Sequence, residues 1–399
     1  MLDAHVRELL DLVGRWIHLI AGIMWIGNSM LFNWLDRNLV KPQDARTGYD
    51  GELWMVHSGG FYQVEKMQLE PSQMPQVLHW FKWQAYTTWI SGFFLLIVVY
   101  YLGGGAYLVD PAVSSLTATQ ATAVGLGLLV VAWAVYDGIW RSPLSRYPKS
   151  TAALCYALVL GVAYALTHLL SGRAAYMHVG AMLGTLMAGN VFMVIMPSQR
   201  ALIRETQSGQ PQDVALAKRA KQRSIHNNYM TFPVLFVMVS NHFAGTYGHP
   251  LNWVILGVLI LAGAGVRHIL NIRFVFPAWK PALGATIAAA IGLLYVLTLP
   301  PSAPAGASVA GDRVPFAAAH AVIEQRCVAC HSTHPTDPTF TSAPHGVTFD
   351  SPEQIQAMRD LIKTRAVVTT AMPLGNKTGM TAAERALLGR WIDEGAPLN

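Results

Sequence analysis

Hydrophobic positions in this chain gather into long unbroken runs separated by short polar segments. Runs long enough to cross a hydrocarbon core of about 30 Å occupy 12–35, 84–108, 119–140, 150–170, 174–196, 228–248, 251–272 and 281–299. The pattern predicts eight membrane spans and an all-α fold. The last span stops at "TLPPSAPAGASVAGD", whose Pro, Ala, Ser and Gly build no core and whose Pro-Pro keeps the backbone extended. Polar, helix-patterned sequence resumes beyond it. The expected organisation is an eight-span domain over 1–299, a linker over 300–312 and a small helical domain over 313–399. In the last, "PFAAAHAVIEQR" and "SPEQIQAMRDLIKTR" read as helices, and "TAAERALLGRWIDEGA" as a third whose Thr381 and Glu384 supply a capping box.

Composition agrees with this division. With 53% hydrophobic and 13% charged residues, the chain of 399 residues has too few charges for an ordinary soluble surface. Its first residues, "MLDAHVRELLDLVGR", carry acids and lack a basic n-region and a small-residue cleavage site, so they read as part of the first span. Lys and Arg number five in 36–83, none in 109–118, three in 141–149, one in 171–173, six in 197–227, none in 249–250 and two in 273–280. Heavy and light loops alternate, and by the positive-inside rule the heavy ones are cytoplasmic. Both the N-terminus and the tail are then expected outside, in the periplasm if the membrane is a bacterial inner membrane. The net charge of +6 is accounted for by insertion signals and calls for no nucleic-acid partner.

The tail carries "CVACH" at 327–331. C-x-x-C-H is the attachment signature of c-type haem, with thioethers at Cys327 and Cys330 and the proximal iron ligand at His331. A redox dithiol and half a zinc site, with His334 or His345 nearby, are the competing readings. For a second axial ligand the candidates are Met358, Met372 and Met380. Met358 lies in an expected helix and Met380 directly precedes the capped one. Met372 stands in "TTAMPLGN", where Pro373 favours an extended loop from which a thioether can reach an iron. His/Met ligation raises the haem potential, which suits an electron acceptor.

Several stretches resemble the membrane-bound urate oxidases of bacteria: "WIHLIAGIMWIGNSMLFNWLD" at 16–36, "GGFYQVEKMQLEPSQMPQVLHWFKWQAYTTWISG" at 59–92, "YDGIWRSPL" at 136–144, "GAMLGTLMAGNVFMVIMPSQ" at 180–199, and "CVACHSTHPT" with "AMPLGNKTGMT" in the tail. The resemblance covers essentially the whole chain. It implies an eight-span bundle followed by a class I-type cytochrome c domain, and oxidation of urate to 5-hydroxyisourate. Electrons would leave through haem c to a soluble cytochrome c or a terminal oxidase. Two other readings stand beside it: a non-catalytic electron-transfer anchor, and a membrane cytochrome oxidising a quinol or an alcohol.

Ionisable residues inside spans are functional candidates by default. His18, His178 and His242 all fall within roughly 10 Å of the expected outer surface. Together they can ligate a b-type haem, or each can hydrogen-bond a neighbouring helix. His268 lies some 26 Å down its span and faces the other side. A pocket for planar, anionic urate wants cations or amides, a base and an aromatic wall. The cytoplasmic ends offer Glu65, Lys66, Asp137, Arg141, Gln199, Arg200, His226, Asn227 and Asn228, although such cations also suit any cytoplasmic boundary. The connection 36–83, with three Trp, is longer than a connector needs and reads as a lid or pocket wall.

Overall fold

A computed structural model describes residues 4–41, 48–102, 105–299 and 313–399. The fold is mostly helical. Helices α1 (Ala4–Asn38), α2 (Lys82–Leu96), α3 (Ala118–Arg141), α4 (Pro148–Thr167), α5 (Gly172–Gly189), α6 (Met196–Gln207) and α7 (Val214–Val239) come first. The short α8 (Ala244–Tyr247), then α9 (Asn252–Ile272) and α10 (Trp279–Leu297) complete the bundle. Wider π-helical turns at Ile97–Tyr101 and Asn190–Ile195 extend α2 and join α5 to α6. The expected linker, 300–312, lies outside the described residues.

Two sequence expectations are met only in part. The chain is not all-α: Tyr49–His57 (β1) and Gly60–Met67 (β2) pair antiparallel, turning at Ser58 and Gly59, both at positive φ. Two consecutive left-handed residues make the tight turn whose twist suits a hairpin. Its faces expose Trp54, Val56 and Phe61. Secondly, seven helical stretches among the described residues, not eight, are long and apolar enough to cross a membrane. The expected span 228–248 is the one that fails. Its helix starts at Val214 with a cationic stretch, and its apolar run ends at Val239, where the backbone tightens into a 3₁₀ turn over Ser240–His242.

The path of α7 nevertheless follows the bundle. Tyr176 Oη, near the start of α5, donates to the Asn252 carbonyl at the start of α9 at 2.6 Å. Those two helices therefore begin at one end. The chain must return between them, and α7 packs against both, with Gly263 of α9 closing on Pro233. At the centre stands α5, which buries Ala174, Tyr176, Val179, Met182, Leu183 and Leu186 against its neighbours. The outer helices leave apolar side chains exposed: Trp16, Ile23, Val130, Ile291 and Tyr295 are all more than half exposed, and α10 buries none of its residues. Such surfaces are compatible with a membrane setting.

In the tail, α11 (Phe316–Arg326), α12 (Pro352–Ala357), α13 (Arg359–Ile362) and α14 (Ala382–Asp393) surround a core of Ile323, Ile355, Ile362, Leu388 and Trp391. The capping box at Thr381 and Glu384 forms as its sequence predicts. The helix expected over 352–365 breaks at Met358.

Candidate functional site

The tail rests on the end of the bundle where α5 and α9 begin. Arg7 Nη2 donates to the Thr339 carbonyl at 2.6 Å, and Thr341 Oγ1 to Glu8 at 3.1 Å. The Thr370 amide reaches the Gly248 carbonyl at 3.4 Å, and Ala371 packs against the bundle core. At Gly375, with φ of +55°, a Cβ would come within 2.6 Å of the Val109 carbonyl oxygen. The loop that carries Met372 is thus the part of the tail pressed onto the bundle.

Within the tail, the C-terminus of α11 delivers Cys327, and hydrogen bonds from the amides of Cys330 and His331 back to the Cys327 carbonyl form the turn that carries all three. His331 is half-buried and donates from Nδ1 to the Val347 carbonyl at 3.0 Å, which leaves Nε2 as the lone-pair nitrogen. A carbonyl in that position fixes the tautomer an iron ligand needs. Burial pushes the Cys327 thiol up to about 12 and the Cys330 thiol to about 11, with the negative charge of neighbouring groups adding to it. Arg385 and Lys377 favour the two thiolates, but burial outweighs them, so neither Cys327 nor Cys330 is an activated thiolate. His334 and His345 join no metal-holding group of three or more His, Cys, Asp or Glu among the described residues. Met372 is half-buried beside the tail core, its backbone held by the Arg365 carbonyl at 2.9 Å and by Arg385 Nη1 at 2.7 Å. Met380 is sunk in that core, and Met358 packs against it.

At the far end of the bundle, polar side chains converge between α3, α5 and α7. Arg223 is only 1% exposed and donates from Nη2 to Asp137 Oδ1 at 2.7 Å, while Arg141 holds the other carboxylate oxygen at 2.6 Å. Its guanidinium lies 4.8 Å from the Tyr136 ring centroid. Tyr136 Oη accepts from Asn190 Nδ2 at 3.0 Å and shares a hydrogen bond with His226 Nδ1 at 2.7 Å. Asn190 Nδ2 also donates to Asn227 Oδ1 at 2.8 Å, and the His226 ring leans on Trp140 with centroids 4.1 Å apart. Asn190 sits where α5 widens into its π-helical turn, a distortion that often marks functional positions. Arg223 Nε and Nη1 and Asn190 Oδ1 are buried without a hydrogen-bond partner among the described residues. Two arginines share one carboxylate here, so the cluster has surplus positive charge and spare donors, an arrangement that accepts an anion.

A second polar group adjoins it through α7. Arg267 Nε and Asn271 Nδ2 both donate to Asn228 Oδ1, at 3.0 and 2.7 Å, and Asn271 Oδ1 is left without a partner. Asp137, Arg141, His226 and Asn227 therefore come together as the sequence suggested, with Asn228 one position further round. Glu65, Lys66, Gln199 and Arg200 are exposed, and Lys66 pairs with Asp36. His268 bonds Tyr229 at 2.7 Å. The sequence reading missed Arg223, Tyr136 and Asn190. Arg223 is hidden among the cations of "AKRAKQR", and the only signal was its i,i+4 spacing to Asn227, which sets both on one helical face.

The three histidines of the expected outer layer separate. His178 is fully buried, with Nε2 bonded to Tyr101 Oη at 2.9 Å and Nδ1 to the Ala174 carbonyl at 2.8 Å. Both ring nitrogens are engaged, and it does not line the large cavity between α1, α2, α5 and α7. His18 and His242 do line that cavity, whose volume is about 400 Å³.

The bundle, compatible with a membrane setting, carries a buried polar cluster with spare donors at one end and the C-x-x-C-H tail at the other. The chain belongs to the urate oxidase N-terminal family, whose model matches residues 4–298, the whole of the bundle and hairpin. No curated protein and no solved structure matches the chain.

Proposed function

We propose that this protein is an integral-membrane urate hydroxylase that delivers its electrons through a covalently bound haem c in the tail. The family supplies the urate-related chemistry. The observation that carries the reading is Arg223, a buried cation with two guanidinium nitrogens unpartnered among the described residues, beside an amide oxygen on Asn190 that is likewise unpartnered. A urate anion offers carbonyl oxygens to the guanidinium and ring N–H groups to the amide, while Tyr136 and Trp140 supply aromatic walls.

The balance is urate plus water giving 5-hydroxyisourate, two protons and two electrons. Water forms the new C5–O bond, so no oxygen molecule is consumed at this site. Arg223 and Asn190 bind and orient the anion. His226, coupled through Tyr136 to Asn190, handles the proton lost as water adds. A haem c held there would supply one-electron acceptance, for onward transfer to a soluble cytochrome c or a terminal oxidase. Cys327 and Cys330 would attach it, and His331 and Met372 would hold its iron.

Membrane embedding is supported by the seven long apolar helices and the exposed apolar surfaces of the bundle. Eight crossings are supported by the common starting end of α5 and α9, which makes α7 a transit despite its polar first half. With the cationic loops inside, the tail is outside a bacterial inner membrane, where c-type haem is attached.

The test is anaerobic mixing of the purified chain with urate in water labelled with oxygen-18. The expected result is reduction of haem c with one labelled oxygen in the product. A purified, haem-loaded chain that urate leaves oxidised would make it an electron-transfer anchor instead, and reduction by a quinol or alcohol alone would change the substrate.

A further inference from the structure

The cavity between α1, α2, α5 and α7 has no role in the reading above, yet it lies between that reading's two ends. Its lining runs along α5 from Met177 to Met187, ten residues or about 15 Å. At the inner end, the Met187 carbonyl accepts from Asn227 Nδ2 of the polar cluster at 3.0 Å. At the outer end, the lining includes His242, whose 3₁₀ turn leads through α8 directly to Gly248 and the docked Thr370. From Ala118 to Asp137 along α3 is 19 residues, about 28 Å. A group seated between the ends would divide that length into shorter electron-transfer steps.

The walls suit a flat, mostly apolar group. Gly180, Ala181 and Gly184 present almost no side chain from α5, and Phe93, Leu95, Leu96, Val99 and Val234 supply apolar surface. The outer rim is polar, with Arg15, Asn241 and His242. His18 projects from α1, and its Nδ1 lies 2.9 Å from the Thr88 carbonyl, to which it can only donate. Nε2 is then the lone-pair nitrogen, and it makes no hydrogen bond among the described residues. The ring fits because position 92 is glycine: a Cβ there would come within 2.8 Å of His18 Cε1. A carbonyl-anchored imidazole with its other nitrogen free is the arrangement of a metal ligand. It does not suit a quinone carbonyl, which needs a donor.

We propose that this cavity binds a second, non-covalent b-type haem, with His18 Nε2 as its axial ligand. Arg15, Asn241 and His242 at the rim receive its propionates, and its apolar edge points toward Met187. His178, sealed in the core, takes no part. The relay role rests on the urate reading; the haem site itself does not.

The full-length protein, purified in detergent, is extracted with acidified acetone, and the soluble and protein-bound haem are measured separately as pyridine haemochromes. The expected result is one extractable haem b for each covalent haem c. His18→Ala should lose at least tenfold of the extractable haem while keeping haem c, which reports that the chain has folded and matured. Gly92→Val, which crowds the ring without removing it, should lower occupancy in the same direction. Wild-type protein with covalent haem only, whether the cavity yields a quinone, a lipid or nothing, overturns the proposal; so does full haem b retention in His18→Ala. Reduction is by dithionite, so the result does not depend on substrate. Two haems that urate fails to reduce would leave this site standing and remove the urate reading.

Discussion

Arg223 Nη2 sits 2.7 Å from Asp137 Oδ1, while Nε and Nη1 of the same buried guanidinium are without partners among the described residues. A fork held at one tine by a carboxylate is oriented for a planar anion at the others. Lysine at this position keeps the charge and loses the fork. Arg223→Lys should therefore lower kcat/KM for urate by about 100-fold, equivalent to roughly 2.7 kcal/mol of transition-state stabilisation. Asp137→Asn should do less, because Arg223 then loses its anchor but keeps its free donors. Steady-state rates with ferricytochrome c, normalised to haem c content, check both. Equal losses in the two variants would assign the pair to structure.

Tyr136 couples Asn190 to His226, accepting from one and sharing a hydrogen bond with the other. Phenylalanine preserves the ring under Arg223 and deletes the coupling. Tyr136→Phe should reduce kcat by about 100-fold, the lower range for loss of proton-transfer assistance, with a smaller change in KM. It should also shift the acid limb of the kcat profile, since His226 loses its hydroxyl partner. A profile that keeps its shape would remove His226 from proton handling.

What the sequence made legible differs between the two ends. The tail's C-x-x-C-H turn and the Thr381–Glu384 capping box are local, so their geometry follows from spacing alone. The spans were readable as apolar runs, except that α7 mixes a cationic half with an apolar half, and only its packing between α5 and α9 makes it a transit. The hairpin was signalled by Ser58-Gly59 between two short runs rich in aromatic and β-branched residues, but the aromatics there drew attention to a lid instead. Arg223 and Asn190 were illegible for a physical reason. An arginine in a cationic stretch and an asparagine after an apolar run look ordinary until neighbouring helices close over them and remove the water. His178 is the opposite case: a histidine in an apolar run invites a cofactor reading, and packing gives both its ring nitrogens partners in Tyr101 and the Ala174 carbonyl, which the sequence does not reveal.

Crossing number has a direct consequence for accessibility. The tip of the hairpin at Ser58 and the tail should lie on opposite faces if α7 crosses, and on the same face if it does not. Ser58→Cys should be labelled by an impermeant maleimide in inverted vesicles only, and Glu353→Cys in intact spheroplasts only. Labelling of both from one side would reduce the crossings to seven and place the C-x-x-C-H tail with the cationic loops.

Glu384 links stability of the tail to pH. Burial alone would raise its carboxyl, but bonds from the Thr381 amide at 2.6 Å and from Arg326 at 2.9 Å outweigh this and hold it below its ordinary value. A carboxylate depressed on folding stabilises the folded state above its unfolded pKa of 4.5, and that contribution disappears as pH falls through the folded value. Melting of the full-length protein, followed by haem c absorbance, should show the tail losing stability below about pH 4.5. In Glu384→Gln that slope should flatten, with lower stability at neutral pH. Thr381→Ala removes the cap itself and should cost about 1 kcal/mol at every pH.

Gly375 meets the bundle where the Met372 loop is pressed against the carbonyls of Ala106 and Val109. Its φ of +55° disfavours any side chain, and a Cβ 2.6 Å from the Val109 oxygen forces the two parts apart. Gly375→Val therefore acts on docking, while the Cys327–Cys330–His331 turn lies elsewhere in the tail and is untouched. Haem c content should stay at the wild-type level. Urate-driven reduction of haem c in single-turnover mixing should slow at least tenfold, because electron transfer falls steeply with the gap between donor and acceptor. Reduction of the same haem by dithionite, which reaches it from solvent, should keep its wild-type rate. If both reductants slow together, the substitution has damaged the cytochrome fold rather than its seat on the bundle.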